Sequence, residues 1–181
     1  MRELPDPGFA GDDGLVAPEV SAALAAYAVA PDRSHGRTLA VLQHARLLVP
    51  VVALLGEVGY DDQGRPLDKT SDMASVLMRG QDGRTALLAF TEIAALRRWD
   101  PEARPVPVSA RTAATAAIQD GASAVVVDVA GPVLFVVEGD DLAELAAGSV
   151  LVRVSAVDGA RDGARDGAGH GAGYGWARPG P

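Results

Sequence analysis

The chain has 181 residues and a formal net charge of −8, contains no cysteine, and is 48% hydrophobic although only 4% of it is aromatic. The absence of cysteine excludes disulfides, cysteine-ligated metal centres and thiol chemistry. The acidic balance argues against binding to nucleic acid or to an anionic membrane surface, since both require basic patches. Residues 1–17 are polar and rich in glycine and acids, and we expect a flexible arm there.

Two helices are predicted at the start of the folded region. Pro18 suits the first turn of a helix, and Glu19 complements the helix dipole at the same end. Ala30-Pro31 ends this helix. A second helix follows and runs to about residue 45.

The next segments predict strands. Residues 47–55 are apolar on both faces, as in a strand buried beneath helices. Pro50 lacks a backbone N–H, so we expect this strand to begin there or to present an edge. Residues 74–78 and 85–89 are short strands, and Asp82-Gly83 between them indicates a hairpin.

Two helices and an extended segment are predicted next. Thr91 suits the cap of a short helix, which Asp100-Pro101 ends. Residues 105–108 are extended, since two prolines alternate with two valines there. Ser109 suits the cap of an alanine-rich helix that runs to about Gln119.

The last predicted elements are a hairpin, a helix and a strand. Residues 124–127 and 133–137 are β-branched runs that predict a hairpin. Asp140 or Asp141 then opens a helix, and alternating valines over 150–154 predict a final strand. Together the elements predict a mixed α/β (α+β) class with a single mixed sheet of about five to seven strands covered by helices.

The predicted domain spans residues 18–156, and residues 157–181 follow it as a repeat of Asp, Gly, Ala and Arg. Such a tail has little apolar surface to bury, so we expect it to be disordered. Binding of a partner through Tyr174 and Trp176 is an alternative interpretation of the tail.

The familiar catalytic and metal-binding patterns are absent from the sequence. There is no G-x-S-x-G elbow and no G-x-x-x-x-G-K-[ST] phosphate loop. His35 and His44 are nine residues apart, a spacing that places them on different faces of one helix. Asp128 ends a predicted strand and is interpreted as bordering a turn. We therefore predict no catalytic residue, no metal and no cofactor.

Five residues form the candidate binding group. Lys69 is the only lysine, and a primary amine with Asp72 close by in sequence suits ligand binding; an exposed loop is the alternative. Phe90 and Trp99 are scarce large aromatics that could line a pocket beside Thr91, whose predicted helix start favours an anion. Packing within the core is the alternative interpretation of these aromatics.

A series of short motifs in a particular order supports a family resemblance. The motifs are Leu47–Val51, Lys69–Met73, Ala89–Thr91, Ala95–Trp99, Arg104–Val108, Gly131–Val133 and Phe135–Gly139. Over roughly residues 18–148 the chain resembles the SseB-protein N-terminal-domain family of actinobacteria. The resemblance implies a small cytoplasmic α/β protein without an established biochemical activity. A suggested sulfurtransferase link does not transfer, because a chain without cysteine cannot carry a persulfide.

The sequence leaves three functional hypotheses. The first is a non-enzymatic cytoplasmic binding or regulatory module that engages an unknown protein or small ligand through a sheet edge or the Phe90–Trp99 region. The second is an enzyme or ligand sensor with a pocket near Phe90, Thr91, Trp99 and Lys69. The third is a self-associating scaffold that uses exposed strand edges. The oligomeric state is open.

Overall fold

The computed structural model describes residues 9, 11–54, 72–154 and 173–178. Within these ranges the chain has the predicted mixed α+β class. The elements in chain order are α1 (Pro18–Val29), α2 (Pro31–Leu42), β1 (Arg46–Leu54), β2 (Asp72–Ser75), β3 (Leu77–Arg79), β4 (Thr85–Ala89), α3 (Ile93–Trp99), β5 (Arg104–Ser109), α4 (Ala110–Gln119), β6 (Ala124–Val127), β7 (Phe135–Glu138), α5 (Gly139–Ala147), β8 (Val150–Arg153) and β9 (Tyr174–Ala177).

The strands form three small sheets, not the single sheet that the sequence predicts: β2-β1-β5, β3-β4-β6-β7 and β8-β9. The division occurs at Val76, whose N–H donates to Pro50 O at 3.2 Å while its carbonyl accepts from Leu88 at 3.3 Å. One stretch of chain therefore pairs first with β1 and then with β4. Leu48 and Phe90 exchange two backbone hydrogen bonds of 2.8 Å and join the first two sheets.

The prediction for Pro50 is wrong, because this residue lies in the middle strand of the first sheet. Pro50 stands opposite Pro105 of β5. Leu48 directs its backbone groups at Phe90, and residues two apart in a strand point their backbone groups to the same side. Pro50 therefore faces away from β5, and its missing N–H removes no hydrogen bond from that pairing.

The central strands β4 and β6 of the second sheet are largely buried, and alternate residues face its two sides. Leu87, Val125 and Phe135 face the larger core cluster beneath α1, α2, α4 and α5. Leu88 and Val126 face the smaller cluster beneath α3. Alanines at positions 113, 114 and 117 of α4 are at most 1% exposed, so this helix approaches the sheet closely.

Several local predictions are confirmed. The β3–β4 and β6–β7 pairs are antiparallel hairpins. Ser109 caps α4, because its hydroxyl accepts from the Thr112 N–H at 3.0 Å. Helix α5 begins at Gly139 and buries Leu142 and Leu145.

The segment before α1 differs from the flexible arm that we predicted. Arg46 pairs with Asp12 Oδ1 at 2.9 Å and donates to Leu15 O at 2.6 Å. Gly14 is buried, and its carbonyl accepts from the Ile93 N–H at 2.8 Å. These contacts attach residues 12–15 to β1 and to the start of α3, because the segment supplies acceptors for a partly buried guanidinium.

The expectation of disorder from residue 157 to the end is wrong for Tyr174–Ala177, which forms β9. Trp176 is 5% exposed within the larger core cluster. A tryptophan buries a large apolar area, and this gain outweighs the weak strand preference of the surrounding glycines. Residues 157–172 and 179–181 of the predicted tail lie outside the described residues.

Candidate functional site

The structure brings together three of the five residues in the predicted binding group. Phe90 is fully buried, and its ring centroid lies 5.7 Å from that of the half-buried Trp99. Thr91 is 4% exposed beside them. Lys69 lies outside the described residues, and Asp72 is described only as the first backbone position of β2. Ligand binding by this group stays a prediction.

Thr91 does not cap α3. Its N–H donates to Asp128 Oδ1 at 2.9 Å, and its hydroxyl donates to Oδ2 at 2.7 Å. The N-cap position of α3 belongs to Glu92, without a side-chain cap. The buried carboxylate of Asp128 therefore accepts the hydrogen bond from the Thr91 N–H, the group that we expected to attract an external anion.

Asp128 borders a turn, as the sequence predicts, since its carbonyl accepts from the Gly131 N–H at 2.8 Å, and its side chain is fully buried. It follows β6, and Thr91 closely follows the parallel neighbour β4, so the two residues meet at the carboxyl ends of adjacent parallel strands. Its φ of 53° lies in the left-handed region, which aspartate tolerates better than most residues. Burial raises the pKa of Asp128, and the two hydrogen bonds from Thr91 act in the opposite direction.

A second site lies at β8, which receives a strand from far along the chain. We call residues 173–178 the docked segment. In β8 the Leu151 carbonyl accepts from Gln43 Nε2 at 2.8 Å, and the Leu151 N–H donates to Gln43 Oε1 at 2.7 Å. Because Leu151 faces Gln43, the backbone groups of Val150 and Val152 face β9. The docked segment therefore pairs with the edge of β8 that lies opposite Gln43.

Trp176 is the central side chain of the docked segment. It stands opposite Leu151, and its indole Nε1 donates to Asp141 Oδ1 at 3.1 Å. Asp141 Oδ2 lies 3.1 Å from His35 Nε2. The His35 ring in turn stacks on Phe135, with centroids 5.0 Å apart. Helices α2 and α5 and strand β7 thus form one polar and aromatic support for the indole.

An ion pair holds the exposed end of the docked segment. Arg178 donates to Glu144 Oε1 at 2.7 Å, and the side chain of Glu144 is 17% exposed. The Ser149 hydroxyl donates to the same carboxylate at 2.6 Å. We call the surface formed by His35, Gln43, Asp141, Glu144 and Leu151 the strand groove.

The family model of the SseB protein N-terminal domain matches residues 20–144, which is more than half of the chain. The chain belongs to this family. The matched region begins in α1 and ends in α5. It contains most of the strand groove, whereas β8 and the docked segment of this SseB protein lie beyond it. No curated protein and no solved structure matches the chain.

The strand groove is not predicted by the motifs of the sequence. The sequence predicts that Asp140 or Asp141 opens α5 and does not distinguish the exposed Asp140 from the buried Asp141. A usable signal was present, since Trp176 is one of only two tryptophans in this SseB chain and follows Tyr174 at the two-residue period of a strand.

Two concavities whose linings are described residues lie away from Phe90, Thr91 and Trp99. The larger, of about 460 Å³, lies along α4. The smaller, of about 180 Å³, lies on the second sheet. Across the described residues, no three histidine or acidic side chains cluster closely enough to bind a metal ion. None of the described helices combines the length and hydropathy of a bilayer span.

Proposed function

We propose that this SseB domain is a non-enzymatic binding module that takes up an extended polypeptide segment at the edge of β8. One observation carries the proposal: a segment distant from β8 along the chain occupies that edge as an added strand and places Trp176 in the core. In strand addition, main-chain hydrogen bonds provide affinity and side-chain pockets provide specificity.

The strand groove supplies both kinds of contact. Val150 and Val152 present backbone groups to the added strand, while Gln43 satisfies the backbone of Leu151 on the far side. Gln43 therefore holds β8 extended and ready to pair. Asp141 provides an acceptor at the bottom of the groove, and Glu144 provides a negative charge at its rim.

The geometry of Asp141 and His35 favours binding over catalysis. A general base must reach the proton that it removes from a substrate. Asp141 instead receives the indole N–H of Trp176 and contacts His35, whose ring is stacked on Phe135. Each group contributes to an internal support for the docked strand.

A peptide-binding measurement tests the proposal. The probe is a fluorescently labelled peptide with the sequence of residues 173–181, and the protein is the full chain with Trp176→Ala, which weakens docking of its own segment. We expect saturable binding of this probe and none of a probe with Trp176→Ala. Failure of the folded variant to bind the first probe would contradict the proposal. Circular dichroism establishes folding.

A second candidate is small-ligand binding or catalysis beside Phe90, Thr91 and Trp99, with Lys69 and Asp72 as further residues. The observation in its favour is the raised pKa of buried Asp128 at the carboxyl ends of two parallel strands, a location typical of ligand sites in α/β proteins. In a Trp176→Phe chain, fluorescence from Trp99 reports binding there. A metabolite library that leaves the emission unchanged argues against this candidate.

The location in the cell is also part of the proposal, since a cytoplasmic compartment is what the family resemblance implies. Fractionation of the native source tests this location, and recovery in a membrane or extracellular fraction contradicts it.

A further inference from the structure

Resting on the proposed function, we propose that the docked segment is an autoinhibitory ligand. It occupies the strand groove until a partner displaces it. The partner presents an extended segment with an aromatic residue, tryptophan two positions later, and a cation two positions after that. This is the pattern of Tyr174, Trp176 and Arg178.

The pairing of β8 with β9 determines which residues of the docked segment face the core. Residues two apart in a strand lie on the same face. Trp176 projects inward opposite the buried Leu151, and Tyr174 packs partly buried against the larger core cluster. Gly175 between these two aromatics is buried, whereas Ala177, directly after Trp176, is exposed. A partner therefore needs two aromatics at alternate positions, whereas the position directly after the tryptophan accepts varied side chains.

The acceptor at Asp141 distinguishes tryptophan from other aromatics. The indole Nε1 donates to Oδ1 at 3.1 Å in a buried environment. Phenylalanine would fill part of the same space without bringing a donor, and a buried polar contact that is lost costs affinity. We therefore expect the central position to prefer tryptophan over phenylalanine.

The rim of the groove selects positive charge at the last position of the pattern. Arg178 contacts both carboxylate oxygens of Glu144, at 2.7 and 3.4 Å. Charge-assisted contacts of this kind favour arginine because the guanidinium offers several donors in a fixed plane. An acidic residue at this position would be repelled by Glu144.

The way in which the segment is held makes it displaceable. Among the described strands, β9 pairs with β8 alone, and the two strands are four residues long. Segments with few partners open at lower free energy than the core of a domain. Val154 and Gly173 share a 2.8 Å hydrogen bond, so residues 155–172 join the segment to the end of β8.

The docked segment should weaken the binding of a free segment by an amount that can be estimated. Docking through the tether of residues 155–172 corresponds to an effective concentration on the order of 1 mM. A free segment with a dissociation constant of about 0.1 mM would then bind the unmodified chain roughly tenfold more weakly than a chain with an empty groove.

The experiment compares four full-length proteins with the labelled 173–181 probe: the unmodified chain, Trp176→Ala, Arg178→Glu and a control variant. The Arg178→Glu variant changes an exposed side chain, so it weakens docking without disturbing the core. We expect both variants to bind the probe at least fivefold more tightly than the unmodified chain. Arg97→Glu, the matched charge reversal at an exposed arginine of α3, should bind as the unmodified chain does.

The outcomes separate the two proposals. Equal affinity of the probe for all the proteins would overturn autoinhibition and leave the binding function intact. No binding to any folded variant would overturn the binding function itself. Probes with Trp176→Phe or Arg178→Glu should each bind the Trp176→Ala chain at least threefold more weakly than the original probe. Unchanged affinity of either probe would overturn the proposed recognition pattern.

Discussion

The indole N–H of Trp176 donates to the Asp141 carboxylate at 3.1 Å, within a buried environment. The contact connects the last described strand with the first turn of α5. Because the carboxylate also lies 3.1 Å from His35 Nε2, it links the docked segment to α2 as well. A single acidic side chain thus unites three elements that are distant in the sequence.

Replacing Asp141 tests this link. We expect Asp141→Ala to lower the free energy of unfolding by about 1–3 kcal/mol, since the buried indole N–H loses its acceptor. Asp140→Ala is the matched control, because Asp140 is the exposed neighbour in the same helical turn; its effect should stay within about 0.5 kcal/mol. Urea denaturation measures both values. Equal losses for the two variants would contradict the assigned role of Asp141.

The pH dependence of stability tests the environment of Asp128. Burial raises the pKa of this carboxyl in the folded state, so folding favours its protonated form. The stability that the group contributes is complete below its unfolded pKa and is lost as the pH rises through the folded value.

We therefore expect Asp128→Asn, which cannot ionise, to gain stability relative to the unmodified chain as the pH increases from 4 to 7. Urea denaturation at several pH values measures this difference. Asp140→Asn serves as the exposed control and should follow the unmodified chain. A difference between Asp128→Asn and the unmodified chain that is constant over this pH range would contradict a raised pKa for Asp128.

The side-chain amide of Gln43 should control the mobility of β8. It bonds the Leu151 carbonyl at 2.8 Å and the Leu151 N–H at 2.7 Å. We expect Gln43→Ala to accelerate hydrogen exchange at the Leu151 amide at least tenfold, because the variant removes the acceptor of this N–H. Gln119→Ala, an exposed position at the end of α4, is the control. Exchange at Val125 in the second sheet should not change in either variant.

Two glycines test whether the segment before α1 is attached to the domain. Gly11 and Gly14 both have positive φ, at 87° and 74°, but a Cβ at Gly14 would overlap the side chain of Ile93, whereas a Cβ at Gly11 meets open space. An alanine would suffer similar backbone strain at either position, because φ is positive at both. We expect Gly14→Ala to lower the melting temperature more than Gly11→Ala does, by an amount equivalent to about 1 kcal/mol. Equal melting temperatures would indicate that the segment does not pack against α3.

The sequence by itself determined the elements that depend on near neighbours. The capping serine of α4, the Asp82-Gly83 turn of the first hairpin and the proline at the start of α1 act over a few residues. Their effect can be recognised without the rest of the fold, because turn and cap hydrogen bonds close within the same short segment.

Only the tertiary structure decided where the chain divides its sheets and which polar side chains meet. Val76 changes partner between β1 and β4 because both strands reach it from other parts of the chain. Asp128 and Thr91 are 37 positions apart, and Trp176 and Asp141 are 35 apart. Such contacts depend on burial and on the packing of whole elements, so the residue types on either side of Asp128 or Asp141 carry no local sign of them.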